Sequence, residues 1–196
     1  MTFPDVYYYD FSGAGRSVDE LAPLLGEERY KYCKKMKNVK AGLCSAYAFL
    51  LLRYALKKEF GMTAVPSFIR GEQDKPFLRD TPDIFFNLSH SGTRTVCAVA
   101  RSPVGVDIQD IRPLSLRVGK KFLTDEELQK AASIIDPDEL SKELCRIWCI
   151  KESCGKFTGK GFVEGFSGFG ADDLVSAGKV RYTLKNGAFI SVCREK

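Results

Sequence analysis

Histidine and tryptophan are nearly absent from this chain: its 196 residues hold one of each. A Ser-His-Asp arrangement has only that single histidine to draw on, and no nucleophile elbow accompanies it, so hydrolases of that kind are set aside. C-x-x-C spacing is missing among the seven cysteines, at 33, 44, 97, 145, 149, 154 and 193, and no cluster offers four zinc ligands. Most of them lie in apolar runs, which reads as buried free thiols in a reducing cytosol. The start, Met1-Thr2-Phe3-Pro4-Asp5, lacks a basic region followed by an apolar core, so no signal peptide is expected. The longest apolar run, around Ala46–Leu52, is too short to span a membrane. The glycine-rich stretch Gly165–Gly170 lacks the spacing of a phosphate-binding P-loop. Excess charge is small as well: 30 Lys plus Arg stand against 25 acids, giving +5. The basic residues are not gathered in one run, so no nucleic-acid partner is favoured; a small anion or an acidic protein suits equally well.

What is there suits a packed domain. At 44% hydrophobic the chain can bury a sizeable core, and its length fits one large domain or two small ones sharing a core. Strands and helices alternate in mixed order, which predicts an α+β fold. A first strand is expected over 3–9 and a helix start at Ser17-Val18-Asp19-Glu20. A basic stretch holding Arg29, Lys31, Lys34, Lys35, Lys37 and Lys40 runs into an apolar helix over 41–58, ended by Gly61. Arg70 and Lys75 flank a turn whose exit Pro76 stiffens. Thr124 and Asp136-Pro137 open two further helices, the second over about 138–157. On it Trp148, Glu152 and Lys156 fall one turn apart in a single stripe. Asn186-Gly187 turns a closing hairpin of 179–185 and 188–193.

The middle of the chain carries the chemistry. Strands over 84–88, 95–101 and 104–109, joined by a Ser-Gly and a Ser-Pro turn, predict a simple meander. The first and third strands then run the same way, with Asn87–His90 and Asp107–Gln109 at one sheet edge, about 10 Å apart. Alternation puts Asp107 and Gln109 on one strand face. Asp107 with Glu152 suits Mg2+, which takes one or two carboxylates and leaves room for water and phosphate oxygens. Arg70, Lys75, His90 and Lys156 add positive charge for further phosphates. Together these residues are the equipment for displacement at a pyrophosphate.

Three segments carry a resemblance. Asn87-Leu88-Ser89-His90-Ser91, Gly105-Val106-Asp107-Ile108 and Trp148-Cys149-Ile150-Lys151-Glu152-Ser153-Cys154-Gly155-Lys156 resemble, in order and spacing, the signatures of the 4'-phosphopantetheinyl transferases of the long, monomeric type. Arg70 and Lys75-Pro76 resemble a fourth, looser element, and Lys40-Ala41-Gly42 a fifth. The resemblance implies a cytoplasmic monomer that moves the 4'-phosphopantetheine group of coenzyme A to a serine hydroxyl. The acceptor is an apo acyl, peptidyl or aryl carrier protein, and 3',5'-ADP is released. The implied cofactor is Mg2+, with Mn2+ as an alternative; no nucleic acid and no membrane takes part. The implied fold is α+β, two similar halves over 1–103 and 104–196 related by a pseudo-twofold, with the active site at their interface.

Position by position, the resemblance implies that Lys40, Arg70, Lys75, Pro76, Ser89 and His90 contact coenzyme A, His90 near its 3'-phosphate, while Asn87 shapes that pocket. Asp107 and Glu152 would bind the metal. Glu152 would also deprotonate the acceptor serine, directly or through a metal-bound water. Lys156 would bind coenzyme A and neutralise the phosphate in transfer. Two positions depart from the family pattern. Gln109 stands where a second acid is common, so contact with the metal through water is expected there. Asp74 replaces a usual glycine and must turn outward or pair with Arg70 or Lys75. Two other readings compete. A non-catalytic coenzyme A or nucleotide-binding module of the same fold is disfavoured by the intact acids and Lys156. A basic nucleic-acid-binding protein has only Tyr30 and Tyr32 to suggest it.

Overall fold

The computed structural model describes residues 5–13, 15–71, 75–159 and 168–195. Asp74, Gly161, the start of the glycine-rich stretch at Gly165 and the residues before Asp5 lie outside them. The chain divides into two compact units, Met1–Ser102 and Pro103–Lys196. The first holds β1 (Val6–Asp10), α1 (Val18–Leu25), α2 (Glu27–Lys34), α3 (Val39–Phe60), β2 (Phe68–Arg70), β3 (Pro76–Leu78), β4 (Phe85–Ser91) and β5 (Arg94–Ala100). The second holds β6 (Val104–Asp110), α4 (Leu116–Gly119), α5 (Asp125–Ala132), α6 (Pro137–Thr158), α7 (Ala171–Ser176), β7 (Val180–Lys185) and β8 (Ala188–Arg194).

Local chemistry sets these boundaries. Ser17 and Thr124 each close a capping box, with Glu20 and Glu127 reaching back to the cap. The Asp136 carboxylate accepts from the Asp138 and Glu139 amides, and Pro137 fits the first turn. Gly61 and Gly159 end the two long helices at φ 69° and 76°, a conformation that a β-carbon resists. Asn186 and Gly187 both take positive φ, the requirement of a tight hairpin turn.

Both main sheets have three antiparallel strands, in the orders β1-β5-β4 and β6-β8-β7, and β2 pairs with β3 apart from them. This overturns the expected meander. β1 takes one edge of β5 and β4 the other, so no backbone edge remains for β6. β6 instead pairs along its whole length with β8, from Val104 opposite Arg194 to Asp110 opposite Ala188. β4 also runs on to Ser91, so Asn87, Ser89 and His90 sit within the strand rather than at its end. The basic stretch is split as well: Arg29, Lys31 and Lys34 ride on α2, while Lys40 opens α3.

Each unit packs one long helix on its sheet. In the first, Leu52, Ala55 and Leu56 of α3 meet Phe86, Cys97 and Val99. In the second, Leu144, Ile147 and Ile150 of α6 pack with Phe122 and Val180. By length and composition α3 could cross a membrane, with a mean hydropathy of 1.3, more than the run around Ala46–Leu52 conveys. It nevertheless forms the core of its unit. All seven cysteines are buried and free.

Candidate active site

Gly105 sets where the chemistry of the second unit sits. A β-carbon there would lie 2.0 Å from the Ser153 carbonyl oxygen and 2.5 Å from the Phe157 nitrogen. Lacking one, β6 lets α6 come down directly onto it. Asp107, two residues on and facing the same way, thereby meets the helix between Cys149 and Lys156. Asp107 as a whole is 1% exposed. Lys156 Nζ donates to Asp107 Oδ1 at 2.5 Å, and Gln109 Nε2 donates to Asp107 Oδ2 at 3.2 Å. Asp107 and Gln109 thus share a face, as alternation requires.

Glu152 stands one turn before Lys156. Burial first, and then the charge of Asp107, push its carboxyl above the usual range; Lys156 works in the opposite direction. Trp148, the third member of the predicted stripe, turns instead to the core, edge-on to Phe122 at 4.8 Å between ring centres. Under Asp107 lies the Cys149 thiol, fully buried and pushed well up by that burial and by the carboxylate, so it keeps its hydrogen.

Lys151 lay inside a quoted motif without a role. It is wholly buried, and its ammonium donates to Glu127 at 2.5 Å and to the Phe122 carbonyl at 2.8 Å. Glu127 also closes the α5 capping box and accepts from the Ala171 amide at 2.7 Å. One carboxylate therefore ties α5, α6 and α7 together. The sequence showed only its capping role, because its other two partners are distant in the chain.

The remaining predicted site residues belong to the first unit. Arg70 and Lys75 flank the β2–β3 pair, whose turn is closed by the Gly71 amide on the Lys75 carbonyl at 2.9 Å. Burial pushes the Lys75 ammonium down. Arg70 lines a cavity of about 480 Å3 with Arg29, Tyr32, Phe49 and Phe68. Arg29, one cation of the basic stretch, is among these lining residues without having been singled out as a candidate for the site. It donates to the Ser45 hydroxyl at 2.7 Å, and burial pushes its guanidinium down, with Arg70 adding to the effect. Gly42 makes this possible: a β-carbon there would lie 2.7 Å from the Cys33 carbonyl, so only glycine lets α2 pack so close to α3. Two arginines beside aromatic walls suit a phosphate joined to a flat ring.

Lys40 follows the Asn38 cap at the start of α3, where helix amides favour an anion. One turn on, the Cys44 thiol reaches the Gly92 carbonyl at 3.5 Å, which brings this helix end to the β4–β5 turn. Strand alternation sets Asn87 and Ser89 on one face of β4 and His90 on the other. These three are therefore not gathered on a single surface. Pro76 stands opposite Arg70 in the β2–β3 register.

A buried and a half-buried carboxylate with a lysine, and a separate set of cations beside aromatic walls, are the make-up of an enzyme that handles phosphate groups. Comparison with known proteins agrees with that class. A family model described as the 4'-phosphopantetheinyl transferase superfamily matches residues 103–196, the whole of the second unit. A 4'-phosphopantetheinyl transferase of Bacillus subtilis is 30% identical over 155 residues, 79% of this chain and 69% of its own length. The 4'-phosphopantetheinyl transferase psf-1 of Bacillus pumilus is 29% identical over 164 residues, 83% of this chain and 70% of its own. The 4'-phosphopantetheinyl transferase gsp of Aneurinibacillus migulanus is 30% identical over 156 residues, 78% of this chain and 63% of its own. The chain belongs to the 4'-phosphopantetheinyl transferase family and is an enzyme of that class.

Proposed function

We propose that this enzyme transfers the 4'-phosphopantetheine group of coenzyme A to a serine hydroxyl of an apo acyl, peptidyl or aryl carrier protein in the cytoplasm, releasing 3',5'-ADP. The observation that carries this is the meeting of Asp107, Glu152 and Lys156 on β6 and α6, within the region that the family model matches. Among the described residues no group of three or more His, Cys, Asp or Glu could hold a metal ion. Two carboxylates are nevertheless enough for Mg2+, which prefers hard oxygen donors and keeps water and phosphate oxygens in its shell. The donor set fits in a second way: Asp107 and Glu152 repel each other, and a cation between them relieves that cost.

When bound, Mg2+ supplies charge neutralisation at the pyrophosphate. The remaining work falls to side chains. Burial and the neighbouring Asp107 raise the Glu152 carboxyl, which makes its carboxylate a better acceptor for the serine proton than that of an ordinary glutamate. Lys156 brings an ammonium to the phosphate in transfer. Gln109, already a donor to Asp107, orients that carboxylate and would act on a bound metal only through it or through water. Arg70, Lys75, Lys40 and His90, with Pro76 stiffening the hairpin and Asn87 and Ser89 on β4, form the coenzyme A contacts. The pseudo-twofold relation of the two halves belongs to the same proposal; its support is that both units thread one topology.

The test is direct. Purified protein with coenzyme A, Mg2+ and an apo carrier domain should yield a carrier heavier by one phosphopantetheine group, with 3',5'-ADP. Failure on fatty-acid, polyketide and peptide carriers alike, where a known transferase succeeds on the same samples, would sink the proposal.

A further inference from the structure

Three consecutive tyrosines stand in β1, and strand alternation sends Tyr7 and Tyr9 to one face. On α3, Tyr47 and Tyr54 lie two turns apart and share one stripe. The two sets meet as aromatic rungs: Tyr7 edge-on to Tyr54 with ring centres 5.6 Å apart, and Tyr9 tilted on Tyr47 at 5.5 Å. Leucines of α1 and α3 complete the walls of a cavity of about 630 Å3, and Arg16 also lines it. Tyr9, Tyr54 and Arg16 are exposed, so the cavity opens to solvent. Its size and largely apolar lining are those of a small-molecule site, for which about 300–1,000 Å3 is usual. It shares no lining residue with the cavity of Arg29 and Arg70.

Two donors in this lining have no work inside the protein. Tyr47 is 6% exposed, and its buried hydroxyl has no hydrogen-bond partner among the described residues. Packing does not account for that hydroxyl. The ring is already seated on Phe11, stacked at 4.5 Å between centres, and phenylalanine would fill the same space without stranding a polar group. Arg16 has no ion pair among the described residues, although two acids follow it closely in the chain. Both are engaged elsewhere. Glu20 accepts from the Ser17 amide and hydroxyl at 2.7 and 2.9 Å, and Asp19 accepts from the Tyr30 hydroxyl at 2.7 Å and pairs with Lys34. The Tyr7 hydroxyl is given to Glu59, so that rung offers its ring face alone.

We infer that this cavity binds a small aromatic carboxylate, its acid group taken by the Arg16 guanidinium and the Tyr47 hydroxyl and its ring laid against the tyrosines. Both polar groups donate, so an acceptor answers them, and an ionised one answers the guanidinium best. The exposed tyrosine faces favour a flat ring over an alkyl chain. None of the residues proposed for coenzyme A or the metal lines this cavity, so the inference stands apart from the transferase reading.

The probe is 1-naphthoate, followed by calorimetry and by NMR of the tyrosine rings, against neutral 1-naphthamide of nearly the same shape. The wild type should bind the acid saturably with Kd below about 1 mM. The amide should bind about tenfold more weakly, the worth of one charge-assisted hydrogen bond. Arg16→Gln should bring the acid down to the level of the amide. Tyr47→Phe should weaken the acid about fivefold, as for a neutral hydrogen bond, yet melt no lower than the wild type. Leu24→Trp changes an exposed lining residue, fills the cavity and should abolish binding. Absence of saturable binding, or equal affinity for acid and amide, overturns the inference. So does a Tyr47→Phe variant that melts lower and binds 1-naphthoate as before, which would make the hydroxyl structural. A wild-type dimer that Leu24→Trp splits into monomers would place a second copy of the chain on this face and overturn it as well.

Discussion

The two units run the same path and do different things under their long helix. In each main sheet the unit's first strand pairs with its last, the strand before the last closes the other edge, and one 22-residue helix packs on the sheet. In the second unit α6 lies on β6 itself, because Gly105 offers no side chain. In the first, β1 presents Tyr7 and Tyr9, which meet Tyr54 and Tyr47 of α3 with ring centres 5.6 and 5.5 Å apart. Those rings act as spacers. α3 rests mainly on β5, and a cavity of about 630 Å3 lined by these four tyrosines and Tyr8 remains beside β1. One frame thus gives close approach in one place and separation in the other. Charged groups that must sit within hydrogen-bond distance of each other are found where the approach is close, so residues rather than topology decide the chemistry.

The comparison can be broken at several points. The largest effect is expected at the carboxylates: Asp107→Ala and Glu152→Gln should each lower turnover by roughly 10^2 to 10^4, the usual worth of a positioned acid–base group, while circular dichroism stays that of the wild type. Near-full turnover of either variant at limiting Mg2+ would remove that residue from the site. Next comes Gly105→Ala. Overpacking against helix backbone has no flexible neighbour to yield, so urea denaturation should show a loss of about 3 kcal/mol or more. Gly42→Ala makes a single close contact, 2.7 Å from the Cys33 carbonyl, and should cost less, about 1–3 kcal/mol. Equal losses at the two glycines would mean that helix-on-strand contact is not the special feature of the second unit.

In the first unit, His90→Ala should weaken coenzyme A binding by roughly tenfold, as expected for one charge-assisted hydrogen bond, and leave 3'-dephospho-coenzyme A nearly unaffected. Equal loss for both ligands would detach His90 from the 3'-phosphate. Tyr7→Phe removes the hydrogen bond that the Tyr7 hydroxyl gives to Glu59 and should cost about 1 kcal/mol, with turnover unchanged, since neither residue belongs to the proposed active site. The smallest effect concerns stability at Glu152. Its folded carboxyl is raised by burial and by Asp107, so its contribution is fully present below the unfolded value and is lost as pH rises through the folded one. Glu152→Gln should therefore melt above the wild type at neutral pH, and the gap should close on acidification. A gap that widens toward acid would reverse the assigned shift.

Local signals were readable in the sequence and distant partnerships were not. The capping boxes at Ser17 and Thr124, the glycine stop at Gly61 and the Asn186-Gly187 turn are each written in a few adjacent residues. Strand pairing is not: nothing near 84–109 reveals that β5 is claimed on one side by β1, or that β6 waits for β8 at the far end of the chain. The same divide runs through the site. Asp107, Glu152 and Lys156 stood out as charges in apolar surroundings, and the first and last do pair. Arg29 did not stand out within its basic stretch, because the fold of α2 onto α3 that buries it depends on Gly42 and on partners well down the chain.

Gly105 contributes no side chain, yet a survey of tolerated substitutions would rank it with Asp107. Every alternative residue begins with the β-carbon that Ser153 and Phe157 exclude. A library screened for activity would therefore return two forbidden positions on β6, two residues apart, with nothing in the counts to separate them. Yield of soluble protein separates them: variants at Asp107 accumulate folded and idle, whereas variants at Gly105 fail to accumulate. Along this strand, intolerance to change records where matter cannot be added as faithfully as it records where charge is needed.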